Sequence, residues 1–396
     1  MVPEPAEGPS QLDEGGVSLA VVPSGPGKGP GSRARVFYNP SMSQNRDLSV
    51  LFMSALLDSG SLPGPKGIKV LDGHCGSGVR VIRMAKELGK THPEVKFMGT
   101  DISREAIAAA EANAASNDVD VTFIRQELIS HLSAARYSYI DVDPYGTPIH
   151  FLYPAIRSVL PGGVIGVTAT DTPALTGSLP KVARRRYGVE MRRTPYMHEL
   201  SCRVMMGCIS RISSSIGRGA FPLMWYSSDH FIRGYVRIMK GSAKADASIQ
   251  NIGWLDEDPP KAPVVLRSPS GRKEGSAGSK VLGPLWIGYL EDPDLLVPTL
   301  DRMEGEGSYG LSDLSRRSLS RLLARALKEH GLPIGGYDMN EVAKETGTSP
   351  LPLDEAVRAL GEKGFKTARS RFSPTLLKTD APWEEVKAMF ERKGGK

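Results

Sequence analysis

The sequence predicts an α/β fold in which a doubly wound parallel sheet is followed by a smaller α+β domain. Between residues 68 and 169, short apolar segments alternate with helical patterns, which is typical of parallel strands joined by crossover helices. A glycine-rich turn follows the first of these strands, and an acid-proline-aromatic step ends the fourth. At 396 residues the chain exceeds what one hydrophobic core usually supports, so we expect two domains.

The first part of the chain has little regular pattern. Residues 1–32 are rich in Gly, Pro and Ser, so we expect a mostly flexible arm with one short strand where apolar residues alternate at 17–22. Order should increase from Phe37 onward. Helical spacing predicts a helix at 47–57, which Ser59 and Gly60 end.

The sheet and its helices follow in strict alternation. Strands are predicted at 68–71, 95–100, 119–124, 139–142 and 163–169, and helices at 79–89, 104–115, 127–134 and 148–159. A long helix at 197–216 and two late strands at 223–226 and 232–239 would close the sheet with an antiparallel pair. These elements define a predicted domain at 33–240.

The remainder of the chain is predicted to form a connecting segment and a second domain. Residues 241–282 are polar and weakly patterned, which indicates a variable connecting segment. The C-terminal domain is expected at 283–396, with helices at 311–329, 339–345 and 352–363. The basic segment 366–371 follows the last of these helices, so the ending resembles a winged helix.

Charge and cysteine content limit the class of protein. Lys and Arg outnumber Asp and Glu by 50 to 44, which favours a polyanionic partner such as nucleic acid. The three cysteines, Cys75, Cys202 and Cys208, fit neither a disulfide framework nor a zinc site, so we expect no metal. No segment looks like a membrane helix or a signal peptide, which predicts a cytoplasmic protein.

The glycine-rich turn indicates a site for a nucleoside-containing cofactor. Asp72, Gly76 and Gly78 lie where the first strand meets the next helix, and glycines there let a ligand approach the backbone closely. A dinucleotide could also bind such a turn, although the order G-x-x-G-x-G differs from the dinucleotide pattern G-x-G-x-x-G.

Two acids follow the next two strands. Asp101 ends the second strand, where a carboxylate can accept hydrogen bonds from both ribose hydroxyls. The alternative is an acid that caps the following helix. Glu127 follows the third strand and could accept from an adenine amino group, or could be a solvated acid at a helix start.

The fourth strand ends in Asp143-Pro144-Tyr145, an arrangement that S-adenosylmethionine enzymes use to methylate an amino nitrogen of a base. Asp143 and the Pro144 carbonyl can accept from the two N–H groups of such an amine, and Pro144 restricts the backbone of both acceptors. Tyr145 offers a face on which an extruded base can stack. The alternative is an ordinary Asp-Pro-x-Gly turn. Attack by a cysteine on a pyrimidine would need Cys75, which we interpret as a small packed residue.

With these residues established, the chain resembles the tRNA guanine-26 N2-dimethyltransferase family in its archaeal form, over roughly Glu14 to Pro382. The matching segments occur in the family's order. They are Val36-Phe37-Tyr38-Asn39-Pro40 with Asn45-Arg46-Asp47, Gly76-Ser77-Gly78-Val79-Arg80, Asp141 to Pro148, Thr168-Ala169-Thr170-Asp171, Asp229-His230-Phe231-Ile232-Arg233, Gly283-Pro284-Leu285-Trp286, and Phe372-Ser373-Pro374 with Lys378-Thr379-Asp380.

The resemblance implies a Rossmann-like class I methyltransferase sheet, S-adenosyl-L-methionine as cofactor, and tRNA as substrate. It implies that the cofactor is surrounded by Arg46, Arg80, Asp101, Glu127 and the backbone of Leu128, and that Asp143, Pro144 and Tyr145 meet the guanine. From the residues alone, Arg46 could form a surface salt bridge and Arg80 could pack its stem on a helix.

Three positions depart from the family pattern. Tyr145 stands where the family usually has Phe, so a hydroxyl must find a partner or water. Thr176 occupies a position that is often Cys, so no essential role can belong to that cysteine here. The zinc-binding cysteines that many members carry are absent from 241–282, so the C-terminal domain should fold without metal.

Basic residues near the fifth strand are candidates for RNA contact. The candidates are Lys181, Arg184, Arg185, Arg186, Arg192 and Arg193, with Tyr187 and Tyr196 interleaved as aromatic faces. Such runs are also common as solvated faces. A second candidate is the basic side of the helix at 311–329, which carries Arg316, Arg317, Arg321, Arg325 and Lys328.

We therefore expect a tRNA methyltransferase that adds one or two methyl groups to N2 of guanine 26. The alternatives are an amino-methyltransferase acting on adenine or cytosine of DNA or another RNA, and a tRNA-binding scaffold without turnover. In DNA amino-methyltransferases the second proline usually precedes the aromatic residue, whereas Gly146 follows it here.

Overall fold

The computed structural model describes residues 10–21, 36, 38–228, 230–258, 260–268, 280–304 and 310–391. Phe37 and Asp229, which belong to two of the matching segments, lie outside the described residues. The chain forms two compact units that alternate along the sequence instead of following one another. The first comprises Met1–Pro144, His150–Val167 and Val297–Ser320, and the second comprises Tyr145–Ile149, Thr168–Leu296 and Arg321–Lys396.

The first unit begins with an antiparallel hairpin of β1 (Ser10–Glu14) and β2 (Val17–Val21). The sequence predicted only the second strand, because Ser10–Glu14 is largely polar and lacks an apolar alternation. In β2, Val17, Leu19 and Val21 are buried. A short 3-10 helix, Pro40–Met42, leads into α1 (Ser43–Asp58).

The parallel part of the sheet confirms the predicted α/β fold. Its elements are β3 (Lys69–Asp72), α2 (Val79–Leu88), β4 (Lys96–Asp101), α3 (Arg104–Ser116), β5 (Val121–Arg125), α4 (Leu128–Ala134), β6 (Tyr137–Val142), α5 (Ile149–Ser158) and β7 (Val159–Ala169). The chain runs outward from β3 through β4 to β5, and then returns to place β6 on the other side of β3. Ligands of doubly wound sheets bind at such a switch point, at the carboxyl ends of the strands.

The second unit contains the late elements α6 (Thr172–Leu175), α7 (Pro180–Tyr187), α8 (Met197–Ser214), β8 (Arg218–Ser228) and β9 (Phe231–Lys240). β8 and β9 pair antiparallel as predicted, and the sheet has the strand order β5-β4-β3-β6-β7-β9-β8. The helix α7, which carries four of the six basic candidates, was not predicted, because its charged residues mask the helical spacing.

The interpretation of 241–282 as a polar, weakly patterned connecting segment missed the regular elements that its described residues form. They contain α9 (Ser242–Ile249), β10 (Ile252–Glu257), β11 (Val264–Leu266) and the start of β12 (Lys280–Trp286). The helix α9 packs through small residues, which give a weak apolar pattern. The hydroxyl of Ser248 lies 2.8 Å from that of Ser210 and bonds both backbone groups of Ala220 in β8.

The remaining elements are α10 (Pro293–Glu304), α11 (Asp313–Glu329), β13 (Tyr337–Asp338), α12 (Met339–Thr346), α13 (Leu353–Glu362), β14 (Thr367–Arg369), β15 (Leu376–Thr379) and α14 (Trp383–Glu391). The last three strands form an antiparallel sheet of order β13-β15-β14. The elements from α11 onward run in the order helix, strand, two helices, two strands and a last helix, and the winged helix stays a prediction. Among the described residues, no helix combines the length and apolar character needed to cross a membrane.

Candidate active site

The glycine-rich turn between β3 and α2 lies tightly over the ends of two neighbouring strands. Gly76 and Gly78 have φ values of +51° and +80°, which L side chains rarely adopt. The amide of Cys75 donates to the carbonyl of Thr100 over 3.0 Å. A Cβ on Gly73 would lie 2.8 Å from the carbonyl oxygen of Asp141, so a side chain there would push β6 away.

Asp101 connects this turn to the start of α3. Its Oδ2 accepts from the Gly76 amide over 3.0 Å, and its Oδ1 accepts from the Ser103 amide over 2.9 Å. Ser103 itself caps the helix by accepting from the Ala106 amide. The capping alternative for Asp101 is therefore wrong, and each carboxylate oxygen retains acceptor capacity for a hydroxyl.

Ile102 is an exposed apolar residue that the sequence analysis did not single out. Its apolar side chain is 68% exposed directly beside Asp101, at the carboxyl end of β4. An aliphatic side chain this exposed at a strand end offers a surface for a purine ring. The signal in the sequence was the position of Ile102 immediately after the acid that ends the strand.

Glu127 lies at the start of a helix, as the alternative interpretation of this acid predicted. Its Oε2 accepts from the Ser130 amide over 2.8 Å, so it is the N-cap residue of α4. Burial slightly opposes ionisation, but bonds from the Ser130 and Ile129 amides lower the pKa of the carboxyl. Leu128 is buried against Gly73. A role of Glu127 and Leu128 in holding adenine stays a prediction.

The structure pairs Asp143 with Arg80. The Nη2 of Arg80 donates to Asp143, and its Nη1 donates to the Asn45 side chain over 2.9 Å and to the Ser49 hydroxyl over 2.8 Å. The Nε of Arg80 lies 3.6 Å from Asp141. Arg80 is buried, and its guanidinium makes these bonds whether or not its stem also packs on a helix. The sequence reasoning missed Ser49 and Asp141 as partners of this guanidinium.

Several buried polar atoms around the turn have no hydrogen-bond partner among the described residues. They are Asn45 Nδ2, Asp72 Oδ1, His74 Nδ1 and Ser77 Oγ. Burial raises the pKa of Asp72 to about 7; the charge of Arg80 opposes the shift, and those of Asp141 and Asp143 add to it. Burial also lowers the pKa of His74. These orphaned groups lie where a polar ligand is expected.

Arg46 forms a buried ion pair and not the surface salt bridge with Asp47 that the sequence allowed. Its Nε and Nη2 donate to Glu14 over 2.6 and 2.5 Å, and Nη2 also donates to the carbonyl of Asn39 over 3.1 Å. Its guanidinium stacks over the Tyr38 ring, 5.1 Å from the centroid. Asp47 instead accepts from Arg83.

The three cysteines do not support nucleophilic catalysis. Cys75, Cys202 and Cys208 are buried, and burial raises the pKa of each thiol, so the thiolate that attacks a pyrimidine is disfavoured.

Tyr145 is 58% exposed, and its stacking on a base stays a prediction. The loop that continues from it is held by two hydrogen bonds to Thr170, the residue that follows β7. The Gly146 amide donates to the Thr170 hydroxyl over 2.8 Å, and the Thr170 amide donates to the Gly146 carbonyl over 2.9 Å. Gly146 has a φ of +76°, which explains the glycine after the aromatic residue.

The basic run is largely exposed, but several of its members are paired. Arg192 is half-buried. The other five members are exposed, namely Lys181, Arg184, Arg185, Arg186 and Arg193. Arg184 bonds Glu190, Arg186 bonds Asp171, Arg192 bonds Glu257, and Arg193 bonds the Ser178 hydroxyl. The prediction that Tyr187 and Tyr196 offer aromatic faces to RNA is wrong, because both rings are buried. On α11, Arg317, Arg321 and Lys328 are exposed.

The whole chain is similar to known tRNA methyltransferases. The model of the N2,N2-dimethylguanosine tRNA methyltransferase family matches residues 24–391. The tRNA (guanine(26)-N(2))-dimethyltransferase of Pyrobaculum arsenaticum is 33% identical over 90% of this chain and 91% of its own length. That of Methanothermobacter thermautotrophicus is 31% identical, with 91% and 93% covered. The solved structure of Trm1 from Pyrococcus horikoshii with S-adenosyl-L-methionine superimposes with a TM-score of 0.80 at 25% identity, covering 95% of this chain and 98% of that one.

Proposed function

The chain belongs to the N2,N2-dimethylguanosine tRNA methyltransferase family, and we propose that Asp143, Pro144 and Tyr145 carry out its reaction. That reaction transfers one or two methyl groups from S-adenosyl-L-methionine to the exocyclic N2 of guanine 26 in tRNA. The observation that best supports this assignment is the buried guanidinium of Arg80, which holds the Asp143 carboxylate where β6 ends beside the glycine-rich turn.

The residues around the turn fit S-adenosyl-L-methionine. The orphaned Asp72 Oδ1 and His74 Nδ1 can meet its polar groups, Asp101 can accept from the ribose hydroxyls, and Ile102 can cover the adenine. The full set that we expect around the cofactor is Arg46, Asp72, Gly76, Gly78, Arg80, Asp101, Glu127 and Leu128. The Nη1 of Arg46, which is the nitrogen not bonded to Glu14, is available for the carboxylate of the methionine moiety.

S-adenosyl-L-methionine supplies an electrophilic methyl group, and the protein aligns the amine with it. Asp143 and the Pro144 carbonyl accept from the two N–H groups of guanine N2, so that the lone pair, otherwise delocalised into the ring, turns toward the methyl carbon. Transfer of the methyl group to the amine breaks the methyl–sulfur bond, and S-adenosyl-L-homocysteine is the leaving group. After the first transfer the nitrogen carries a positive charge and two N–H protons, and after a second transfer it carries one. In each case the Asp143 carboxylate accepts one of these protons. Arg80 orients this carboxylate.

The substrate surface is proposed to include the basic helix α7. Lys181 and Arg185 are exposed and have no ion pair among the described residues, so they are the members of the basic run most available to phosphate. To bind phosphate, the other four basic residues would have to share or exchange their present partners. These residues are Arg184, Arg186, Arg192 and Arg193. As an enzyme that acts on tRNA, the protein is expected in the cytoplasm.

The test is a nucleoside-level methylation assay. Purified protein is incubated with an unmodified tRNA transcript and S-adenosyl-L-methionine labelled in the methyl group, and the digested RNA is separated into nucleosides. We expect label in N2-methylguanosine or N2,N2-dimethylguanosine, and none when position 26 of the transcript is adenosine. Label on adenine or cytosine would instead support the alternative amino-methyltransferase.

An Asp143→Asn variant tests the catalytic role, with Asp120→Asn as the control, since Asp120 is an exposed acid of the same unit. We expect Asp143→Asn to lose methylation at least a hundredfold while the control keeps it. An Asp143→Asn variant with normal turnover would overturn the assignment. A wild-type protein that binds tRNA without turnover would support the scaffold alternative.

A further inference from the structure

A buried tyrosine lies at the centre of a hydrogen-bond network that adjoins the base-binding loop. The hydroxyl of Tyr187, the last residue of α7, lies 2.8 Å from the hydroxyl of Thr147. It also donates to Asp171 Oδ2 over 2.5 Å, and Arg186 donates to the same oxygen over 2.7 Å. Since Tyr187 donates to Asp171, Thr147 must be the donor in its bond to Tyr187.

The Tyr187 hydroxyl therefore joins two short segments of the second unit. Thr147 belongs to the loop that follows Tyr145, and Asp171 follows the Thr170 residue that exchanges two hydrogen bonds with Gly146. Without the hydroxyl, the two hydrogen bonds between Gly146 and Thr170 would remain, but the Thr147 side chain and the Asp171 carboxylate would lose their common partner.

The backbone of Tyr187 is fixed as firmly as its side chain. Its carbonyl accepts from Arg211 Nη2 over 2.6 Å and from the Cys208 thiol over 3.4 Å, both on α8. The helix ends directly after it, at Gly188 with a φ of +63°. A residue held at both ends is well suited to transmit the position of α7 to the loop.

The neighbouring residues of α7 face solvent. Lys181 and Arg185 are exposed cations without an ion pair among the described residues, whereas Tyr187 and Ala183 are buried. The helix thus has a cationic outer side and, at its last residue, a hydroxyl that contacts the loop after Tyr145.

We propose that Tyr187 is a positioning residue that fixes the loop at 145–147 for the flipped guanine and couples that loop to phosphate contacts on α7. The inference deepens the proposed function and rests on it. Tyr187 acts through Thr147 and Asp171, and the hydroxyl contributes to turnover on tRNA without contributing to cofactor affinity.

The sharpest test is a double-mutant cycle that removes the two hydroxyls separately and together. Tyr187→Phe and Thr147→Val each remove one side of the 2.8 Å bond with little change in shape. We expect each to lower kcat on tRNA about tenfold, and the double variant to be no slower than Tyr187→Phe alone, because Tyr187→Phe already deletes the contact that Thr147→Val removes. Thr147→Ser, which keeps a hydroxyl, should restore most of the turnover.

The control is Tyr137→Phe. Tyr137 is also a buried tyrosine, and its hydroxyl shares a hydrogen bond with His131 at the amino end of β6. This variant can lose stability but should keep kcat. The dissociation constant of S-adenosyl-L-methionine and the melting temperature are measured for every variant, and the cofactor affinity of the Tyr187 and Thr147 variants should equal that of the wild type.

Two results would overturn the inference. One is an unchanged kcat in Tyr187→Phe, and the other is a double variant whose loss is the product of the two single losses. Both require a wild-type enzyme that methylates tRNA, so they differ from failure of the proposed function, in which the wild type itself would not transfer methyl groups to guanine 26.

Discussion

The carboxylate of Glu14 accepts two hydrogen bonds from the guanidinium of Arg46, with N–O distances of 2.6 and 2.5 Å. This pair attaches the N-terminal hairpin to α1, and Arg83 donates to the same carboxylate over 3.1 Å. Burial alone would raise the pKa of Glu14, but the bond from Arg46 and the charges of both arginines outweigh it and hold the pKa at about 2.

Glu14→Gln should destabilise the protein in a pH-dependent way. The folded pKa of about 2 lies below the ordinary value of 4.5, so the stabilisation is present above pH 4.5 and is lost as the pH falls toward 2. We expect a cost of about 3 kcal/mol at neutral pH that shrinks between pH 4.5 and 2, measured by urea unfolding. Asp13→Asn, at an exposed acid of the same strand, should show no such dependence.

Asn113 and Asn117 provide a matched pair that separates hairpin attachment from cofactor binding. Asn113 bonds the amide of Ala20 over 2.8 Å, and Asn117 bonds the amide of Ser18 over 2.9 Å. Only Asn113 also donates to the Ser77 carbonyl of the glycine-rich turn, over 3.0 Å.

Both Asn113→Asp and Asn117→Asp should therefore reduce stability by about 1–3 kcal/mol, because each leaves a backbone carbonyl without its donor. Only Asn113→Asp should also weaken binding of S-adenosyl-L-methionine, which isothermal titration calorimetry would measure. Equal affinities in the two variants would show that the bond to Ser77 does not shape the turn.

Arg80→Lys should lower kcat on tRNA at least tenfold. A lysine ammonium is a single point charge and cannot hold Asp143, Asn45 and Ser49 in the fixed geometry of a guanidinium. Steady-state kinetics would measure the effect, with Arg104→Lys at an exposed site of α3 as the control. If only the KM for the cofactor rose, Arg80 would act on the cofactor and not on Asp143.

Two Lys–Glu pairs in the second unit should differ strongly in their contribution to stability. Lys378 lies 2.8 Å from Glu199 with side-chain exposures of 3% and 0%, whereas Lys363 and Glu385 are 33% and 39% exposed. Lys378→Met leaves a buried carboxylate short of one cation and should cost about 3–5 kcal/mol in the free energy of unfolding. Lys363→Met should cost less than about 1 kcal/mol. If the two variants lost similar amounts of stability in thermal unfolding, the expected dependence on burial would be contradicted.

The hydrophobic pattern of short segments was sufficient to predict the strands of the parallel sheet and the motifs at their ends. The buried segments of β3 to β7 are apolar and evenly spaced, and Gly76, Gly78 and Asp143 occur where strands end, so the sequence itself carries that information. Helix α9 was not predicted, because its buried residues, Ala245 and Ser248, are small. Small residues do not produce the apolar periodicity from which a helix is predicted.

Partners distant in sequence could not be predicted. Glu14 and Arg46 are 32 residues apart, and Arg80 and Asp143 are 63 residues apart, so their pairing depends on the assembled fold. The burial of Tyr187 also depends on the assembled fold and could not be predicted. Its neighbours in sequence are arginines, and only the packing of α7 shows that its ring turns inward.

Asn113 on α3 and Asn117 directly after it have a consequence for how the protein behaves in concentrated solution. β2 lies at the edge of a two-stranded sheet, and the amide and carbonyl groups of Ser18 and Ala20 that face away from β1 are bonded by Asn117 and Asn113. A strand edge without such partners is a template for pairing with another chain. The asparagine side chains thus occupy the hydrogen-bonding groups that a third strand would otherwise pair with. They protect the hairpin from intermolecular β-sheet formation.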